Sequence, residues 1–463
     1  MTINSPSFLL FLLAALVLFH LAPGSWRARI VFPLTSLVFM GLVMPSWIGF
    51  GIVLGFAVLI WLSTRILARS PAQGIMVAVV AVVLLIFGWL KEYTFLAFLP
   101  FSALIPSTVG LSYMLIRGMQ LLADVREDPA LRPQAITVFS FLTGWPCLIS
   151  GPVQRFQDFA VQLHEMAAFR LTDKVVLASL SRMVRGWFWV LVLGGISKFI
   201  WLGLKSIAFQ AATPLALGGA ELFFLVHLFF DFAGYTEIVI GVGGLFGLQL
   251  PENFNRPFEA RSFLDFWSRW HMSMSNWFKV YAFNPLLMAF TQRWPSTGAA
   301  NIIGAAAFFI TFFLVGLWHG TTGAFIVCGL LLGLGASVNQ WYRAFQRKRL
   351  GKKRFDALGT HRLHIILSVG VTFAYLCLSI TPLWMSLTDM QRILAGHGVV
   401  GLLVAHLLVA VLAMLLFSWK WPALPLPRGQ VWSCFVIALQ IVLIEIYLFL
   451  FPSFGGAFFY EQF

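Results

Sequence analysis

Long apolar runs recur along this chain of 463 residues and set the kind of fold that it can adopt. Hydrophobic residues make up 60% of the sequence and charged residues 10%, whereas roughly a quarter of a soluble domain is usually charged. Backbone polar groups in lipid must be satisfied within the protein, and a helix does this within one segment. Because the runs are unbroken and do not alternate like barrel strands, the sequence predicts an all-α polytopic membrane protein.

The apolar runs also predict where the helices lie. They fall near 6–21, 30–44, 47–62, 73–90, 94–122 (broken by Pro106), 135–150, 186–205, 215–232, 299–317, 322–340, 363–384, 398–419 and 431–450. A bilayer crossing takes about 20 residues, so we expect the short runs to be tilted, broken or re-entrant. Residues 6–22 lack a preceding basic segment, which predicts a retained helix and no cleaved signal peptide. Without repeats or linkers, residues 1–463 are predicted to form one integral membrane domain.

The net charge of +14 comes from basic residues between the apolar runs. Arg27 and Arg29 follow the first run, and Arg65 and Arg69 follow the third. The positive-inside rule then places the N-terminus outside the cytoplasm. We therefore interpret the charge as a topology signal that also attracts anionic lipid, and we expect no nucleic acid partner.

Two longer basic segments are predicted to face the cytoplasm, Arg155–Arg185 and the loop Arg343–Arg362. In the second, Arg347–Arg349 and Lys352–Arg354 are opposed only by Asp356. Two interpretations remain open for this loop. A topology anchor on anionic lipid is favoured, and a docking site for an acidic carrier protein is the alternative.

The cysteines and the common nucleotide and hydrolase motifs narrow the chemistry. Each cysteine stands alone in an apolar stretch, which predicts small buried side chains and neither disulfides nor a metal site. They are Cys147, Cys328, Cys377 and Cys434. The sequence contains no phosphate-binding loop, no Gly-x-Ser-x-Gly elbow and no His-Glu-x-x-His pair, so it gives no support to ATP hydrolysis, serine hydrolysis or zinc proteolysis.

Residues 229–285 are unusually rich in polar, aromatic and proline residues. Irregular polar backbone at membrane depth is tolerated only inside protein or along a water-filled cavity. We therefore expect Asp231, Glu237, Glu252 and Arg256 to form structural ion pairs or hydrogen bonds, in preference to a direct catalytic role.

Helical periodicity across residues 267–281 predicts one amphipathic helix at an interface or inside the bundle. Its aromatic face holds Trp267, Trp270, His271, Met274, Trp277, Phe278 and Tyr281. Its polar face holds Asp265, Ser268, Arg269, Asn276 and Lys279.

Two histidines in apolar sequence are the candidate functional residues, because ionisable side chains at membrane depth are costly. Two interpretations remain open for His271 on the aromatic face, a packed core residue and a residue of the functional site. His319 ends a long apolar run and precedes Gly320 and Gly323, which permit close approach of backbone or ligand. A neutral imidazole there can accept a hydroxyl proton. The other histidines are predicted to be loop or packing residues: His20, His164, His227, His361, His364, His397 and His406.

Five segments in order between about residues 105 and 345 resemble the membrane-bound O-acyltransferase (MBOAT) family. They are Gly110–Tyr113 with Asp124–Arg126, Ser150–Phe156, Asp231–Tyr235, Pro251–Pro257 through Trp270–Ser275, and Leu317–Gly320. The resemblance is to the bacterial branch that includes alginate O-acetyltransferase and the D-alanyl transfer protein of teichoic acid modification.

The resemblance implies about eleven transmembrane helices in a ring, with re-entrant helices around a central tunnel. It implies that the acyl donor enters from the cytoplasmic side and the acceptor hydroxyl from outside. His319 matches the catalytic histidine of the family and His271 the second active-site residue. We add Trp267, Trp270, Trp318 and Asn276 as predicted substrate-binding residues.

Some segments depart from the alginate-type pattern. That branch has Tyr-Ile-Pro-Leu-Gly-Gly where this chain reads Tyr281–Leu287 without paired glycines. Asp231–Tyr235 and His271–Ser275 are closer to the D-alanyl branch, and Phe459–Phe463 to the acetyl branch.

The leading hypothesis is an enzyme of the inner (cytoplasmic) membrane that moves an acetyl or D-alanyl group to a hydroxyl of an extracytoplasmic polysaccharide. Its donor would be a co-substrate, acyl-CoA or an acyl-carrier protein thioester, with no tightly bound cofactor and no metal. Its partners would include a periplasmic acyltransferase or the envelope polymer. The alternatives are a transporter with a histidine and acid proton relay, and a non-catalytic scaffold that docks partners through Arg343–Arg362. A transporter is disfavoured because no repeated half is detectable.

Overall fold

The computed structural model describes residue 3 and residues 5–93, 109–296, 299–419 and 429–451. Within these ranges the chain forms helices and turns and contains no strand. The α-helices are α1 (Pro6–Leu21), α2 (Gly24–Trp26), α3 (Phe32–Val43), α4 (Trp47–Arg69), α5 (Gln73–Leu90), α6 (Leu111–Glu127), α7 (Ala135–Thr143), α8 (Phe156–Glu165), α9 (Asp173–Trp187), α10 (Gly195–Ala211), α11 (Pro214–Leu245), α12 (Phe263–Trp267), α13 (Met272–Phe278), α14 (Asn284–Arg293), α15 (Ala300–His319), α16 (Gly323–Leu358), α17 (Arg362–Ile380), α18 (Leu387–Phe417) and α19 (Gln430–Leu450).

Short π-helical and 3₁₀-helical turns join several of these helices. The π-helical turns are Arg27–Val31, Phe188–Gly194 and Lys279–Phe283. The 3₁₀ turns are Trp145–Cys147, Pro257–Glu259 and Thr381–Leu383.

Among the described residues, ten helical stretches are long and apolar enough to cross a membrane. The prediction of an all-α, multi-pass membrane protein is therefore confirmed. Helix α1 and the stretch Ala135–Cys147 are apolar but shorter. Residues 94–108 of the predicted helix 94–122 lie outside the described residues, as does the C-terminal segment Phe459–Phe463. The ring and the tunnel remain predictions.

Several predicted helix boundaries are wrong, among them the end of α11, which continues to Leu245 although the sequence predicted an end at residue 232. Helix α16 continues from its apolar part to Leu358, so the segment predicted as the loop Arg343–Arg362 is mostly helical. Its only non-helical residue is Gly351 (φ 74°, ψ 160°). Helix α18 begins at Leu387 and bends at Gly398 (φ 63°, ψ 175°), where the sequence predicted the helix to start. Apolar runs mark the hydrophobic part of a helix, whereas its hydrogen-bonded backbone extends into polar sequence.

One compact unit consists of three stretches of chain, Met1–Val192, Asp231–Glu252 and Gln430–Phe463. Its core includes the fully buried Trp145, whose ring lies 6.4 Å from that of Phe8. Buried Arg117 donates hydrogen bonds to the carbonyl oxygens of Phe141 (3.1 Å) and Cys147 (2.6 Å). A charged side chain thus stabilises the turn after α7.

Polar residues of the same unit form the predicted structural ion pairs. Glu237 contacts both Arg185 and Arg182, and Arg182 also binds Glu252. The prediction of a structural role is confirmed for Glu237 and Glu252. Asp231 is buried.

The second compact unit consists of Leu193–Phe230 and Asn253–Gly429. In it α15 packs along α16 and α17 along α18. Arg256 pairs with Glu259 at 3.5 Å, again as predicted. Whether the whole chain behaves as one domain remains a prediction.

Two further histidines of the second unit have defined contacts. His227 is buried, with Nδ1 3.1 Å from the carbonyl oxygen of Gly194 and its ring stacked on Trp201. This confirms a packing role. His406 Nε2 lies 3.4 Å from a carboxylate oxygen of buried Glu221, a contact that the surrounding apolar sequence does not indicate.

The cysteine prediction is correct at three positions. Cys147, Cys328 and Cys377 are buried free thiols. Cys434 is exposed, so its predicted burial is wrong. It lies on α19, which is mostly exposed along its apolar length.

Candidate active site

The segment around His271 is not the continuous helix that periodicity predicts. Helix α12 ends at Trp267 and α13 begins at Met272. His271 stands between them in the left-handed region (φ 44°, ψ 51°). The sequence between the two helices contains no glycine or proline to signal a break. Tertiary hydrogen bonds impose the break.

Those hydrogen bonds come from the irregular segment at residues 253–255. Asn255 N–H donates to the carbonyl of Arg269, and Met272 N–H donates to the carbonyl of Asn253, each at 2.9 Å. The Asn253 side-chain oxygen accepts from the Ser273 backbone N–H (3.3 Å) and hydroxyl (2.6 Å). The chain is therefore bonded to residues 253–255 on both sides of His271.

The predicted aromatic face is nevertheless buried, except that Trp277 and Tyr281 are half-buried. Trp267 is 6% exposed and its ring lies 5.5 Å from that of Phe312 on α15. Trp270 is 3% exposed and stacks on Phe266 at 5.3 Å. The Trp267 ring thus packs α12 against α15, and both tryptophans bury the chain next to His271. Met274 and Phe278 are buried as well.

The predicted polar face is the more exposed one. Ser268, Asn276 and Lys279 are exposed. Asp265 and Arg269 form an ion pair at 2.9 Å. The side chain of Asn276, a predicted substrate-binding residue, is therefore not part of the buried aromatic face.

His319 is the last residue of α15, at the tip of the α15–α16 hairpin. The two helices touch backbone to backbone, because a Cβ atom at Gly316 would lie 2.2 Å from Cα of Gly329. Such contacts between small residues are typical of membrane helix packing. The hairpin therefore fixes the position of His319 at its tip.

Gly320 is required next to His319 for packing. A Cβ atom there would lie 2.2 Å from the ring of Phe325 on α16. The close approach that the sequence predicted at this glycine is made by an aromatic side chain. The Trp318 ring lies 5.0 Å from that of His319, edge to face.

Both histidines belong to the second unit, and His319 is close enough to His271 to perturb its pKa. His271 is fully buried and His319 is 6% exposed. Burial lowers the pKa of His271 well below its ordinary value, and the imidazole of His319 lowers that pKa further. His271 therefore stays neutral near pH 7, with one ring nitrogen able to donate a hydrogen bond and the other able to accept one. Two adjacent buried imidazoles suit proton transfer and polarisation of a carbonyl group.

The profile of the membrane-bound O-acyltransferase family matches residues 77–380, which include both histidines. The chain belongs to the MBOAT family. It is therefore a multi-pass membrane acyltransferase, as the motifs predicted. The predicted core of about residues 105–345 lies inside the matched range.

Curated members of the MBOAT family resemble this chain at moderate identity. The teichoic acid D-alanyltransferase of Bacillus subtilis is 29% identical over 277 residues, 58% of this chain and 67% of that protein. The probable alginate O-acetylase AlgI of Pseudomonas fluorescens is 28% identical over 233 residues, 50% of this chain and 44% of that protein. The peptidoglycan O-acetyltransferase of Helicobacter pylori is 31% identical over 211 residues, 45% and 38% respectively. The match spans less than half the length of the two O-acetylating relatives.

Within this MBOAT chain, the predicted site residues divide into two groups. His271, His319, Trp267, Trp270 and Trp318 lie on α12, on α15 or in the α12–α13 break. All five are buried or half-buried. Asn276 is exposed on α13.

Sequence reasoning did not assign one residue, Asn253, to the site, although it lies in the family segment Pro251–Pro257. Asn253 is fully buried and bonded to the chain beside His271. It lies in an irregular segment, where no periodicity indicates which polar side chain points inward. Two sequence signals point to this region, the high polar content of residues 229–285 and the family segment Pro251–Pro257.

Proposed function

We propose that this chain transfers an acetyl or D-alanyl group to a hydroxyl of an extracytoplasmic envelope polysaccharide. The observation that carries the proposal is the pair of adjacent buried imidazoles, His271 and His319, in a member of an O-acyltransferase family. The named substrates of the relatives support the acceptor class, since teichoic acid, alginate and peptidoglycan are all envelope polymers.

His319 is the proposed general base. It takes the proton of the acceptor hydroxyl while the hydroxyl oxygen bonds to the acyl carbonyl carbon. As the carbon–sulfur bond of the thioester breaks, the imidazolium returns the proton to the leaving thiolate, so the step needs no further reactant. General base catalysis of this kind contributes typically about 10²- to 10⁴-fold.

His271 is proposed to polarise the acyl carbonyl or to orient the acceptor. Its lowered pKa supports the role, because a neutral ring donates a hydrogen bond without adding a buried charge. The buried rings of Trp267 and Trp270 would exclude water, which favours transfer over hydrolysis. Trp318, beside His319, is proposed to contact substrate. Asn276 is proposed only for a part of the acceptor outside the buried site, since its side chain is exposed.

The donor is proposed to be acyl-CoA or an acyl-carrier protein thioester that arrives from the cytoplasm as a co-substrate. A periplasmic acyltransferase is a proposed partner. We propose an inner-membrane location with the N-terminus outside, because arginines follow the first and third apolar runs.

The acyl group and the polymer can be identified together. Cells that express the chain and cells from which its gene is deleted would supply purified envelope polysaccharides for mild alkaline release of esters. We expect deletion to remove either acetate or D-alanine from one polymer. Equal amounts of both esters on every polymer, with and without the chain, would contradict the proposed substrate class.

A further inference from the structure

We propose that Asn253 is a positioning residue that holds His271 in its productive conformation. The inference rests on the proposed function, because it assumes that His271 acts in transfer. Asn253 lies on a separate segment. It acts on His271 indirectly, through hydrogen bonds to Met272 and Ser273, the two residues that follow the histidine.

His271 needs such support because of its backbone. It adopts the left-handed conformation (φ 44°, ψ 51°), which glycine adopts easily but which only a few per cent of other residues adopt, even though asparagine, aspartate and histidine are enriched among them. It is also the N-cap of α13, a position that usually carries Ser, Thr, Asp or Asn. Both features are unfavourable for histidine, so contacts with surrounding residues must hold the backbone of His271 in this conformation.

Asn253 provides the cap that His271 does not. In most helices the N-cap side chain accepts a hydrogen bond from the N–H of the second or third residue. Here the second residue of α13 is Ser273, and its N–H donates to the Asn253 side-chain oxygen at 3.3 Å. His271 makes no side-chain capping bond, so its imidazole can be directed to the neighbourhood of His319.

Three further contacts make this cap rigid. The Ser273 hydroxyl donates to the same Asn253 oxygen at 2.6 Å, and the Asn253 carbonyl accepts from Met272 N–H at 2.9 Å. Asn255 N–H bonds to the Arg269 carbonyl on the other side of the histidine. Asn253 is fully buried. Loss of its side-chain oxygen would therefore leave both the backbone N–H and the hydroxyl of Ser273 without this acceptor.

The test compares three variants of the full-length protein. Asn253→Leu keeps the branched shape of the side chain without the acceptor, and Asn253→Asp keeps the acceptor. Ser262→Ala is the matched control, since Ser262 caps α12 through Asp265 N–H at 3.2 Å. We would measure kcat, KM and the melting temperature for each. We expect Asn253→Leu to lower kcat about 10- to 100-fold with little change in KM, since small displacements of a reacting group have effects of that size.

The other two variants separate positioning from stability. Asn253→Asp should recover most of the lost kcat, and Ser262→Ala should lower the melting temperature without lowering kcat. Wild-type kcat in Asn253→Leu would overturn the proposal. Should that variant not fold, Ser273→Ala removes one of the two side-chain bonds, and it should lower kcat severalfold at unchanged KM. Wild-type kcat in Ser273→Ala would then overturn the proposal.

A double variant tells this proposal apart from the role of His271 itself. In a His271→Ala background, Asn253→Leu should cause no further loss of kcat. A further loss as large as in wild type would show that Asn253 acts by another route, and would overturn the positioning role alone. Wild-type kcat in His271→Ala would remove the proposed role of His271 and the positioning proposal with it.

Discussion

At the scale of single residues, Trp270 and His271 are neighbours in sequence with different roles, since Trp270 packs the core and His271 is proposed to act in acyl transfer. The Trp270 ring stacks on Phe266 and meets Phe254 edge to face at 5.0 Å. We predict that Trp270→Ala lowers both stability and activity, because removal of a buried tryptophan costs about 3–5 kcal/mol. His271→Ala should lower turnover strongly with a small change in melting temperature, because the hydrogen bonds that hold the chain on both sides of residue 271 are made by the backbone of Arg269 and Met272 and do not involve the imidazole.

Thermal unfolding and acyl transfer in detergent, measured for both variants, check this prediction. A His271→Ala variant that melts far below wild type yet keeps its specific activity would make the histidine a core residue. The candidate site would then consist of His319 alone.

Sequence reasoning found the two histidines because an ionisable side chain in apolar sequence stands out. It placed Asn276 in the site on weaker grounds, and the side chain is exposed. It also missed the left-handed backbone of His271, since no glycine or asparagine occupies that position. The hydrogen bonds that impose this backbone come from Asn253 and Asn255, which are distant in sequence.

At the scale of helices, the α15–α16 hairpin decides where His319 lies. We predict that Gly316→Ala separates the two helices, because the new Cβ would lie 2.2 Å from Cα of Gly329. Overpacking of this kind costs about 1–3 kcal/mol. The displacement at the hairpin tip should lower acyl transfer as well.

Gly304 on the same helix provides the control. A Cβ atom there would meet only the Gln340 side chain, at 3.9 Å. Gly304→Ala should therefore keep wild-type transfer and melt at or slightly above wild type, since alanine favours the helix over glycine by up to about 1 kcal/mol. Similar melting temperatures for Gly316→Ala and wild type would contradict the close contact.

Hydropathy predicted most helices because each apolar run needs a hydrogen-bonded backbone in lipid. Helix α5 covers the predicted residues 73–90. Hydropathy failed where helices continue into polar sequence, as α16 does, and where tertiary contacts break a helix between Trp267 and Met272.

At the scale of the whole molecule, the loop charges predict the orientation in the membrane. With the N-terminus outside, Trp47 at the start of α4 should face outward and Lys353 near the end of α16 should face the cytoplasm. Both side chains are exposed. In a background without the native cysteines, an impermeant maleimide should label Trp47→Cys in intact cells.

The same reagent should label Lys353→Cys only after the membrane is opened. Labelling of Lys353→Cys in intact cells, together with protection of Trp47→Cys, would reverse the predicted orientation. Position 353 is preferable to Gly351, whose left-handed backbone would strain any substitution.

Motifs in the sequence identified the family, but hydropathy did not predict which helices pack together. The boundary between the two compact units falls inside α11, at residues 230 and 231. An apolar side chain on a membrane helix can face lipid or another helix, so the hydrophobic pattern alone does not distinguish the two. Contacts between segments that are distant in sequence, such as residues 253–255 and 269–273, were known only from the structure.

The most direct test of the central claim is acyl transfer by His319→Ala, with His164→Ala as the control because His164 is exposed. Both variants would be expressed in cells that lack the native gene, extracted in detergent to verify folding, and assayed for ester-linked acyl groups on the envelope polymer. We predict that His319→Ala is extracted normally and restores no esters, while His164→Ala restores the wild-type level. A well-extracted His319→Ala protein that restores wild-type esterification would contradict the assignment of His319 as the catalytic base.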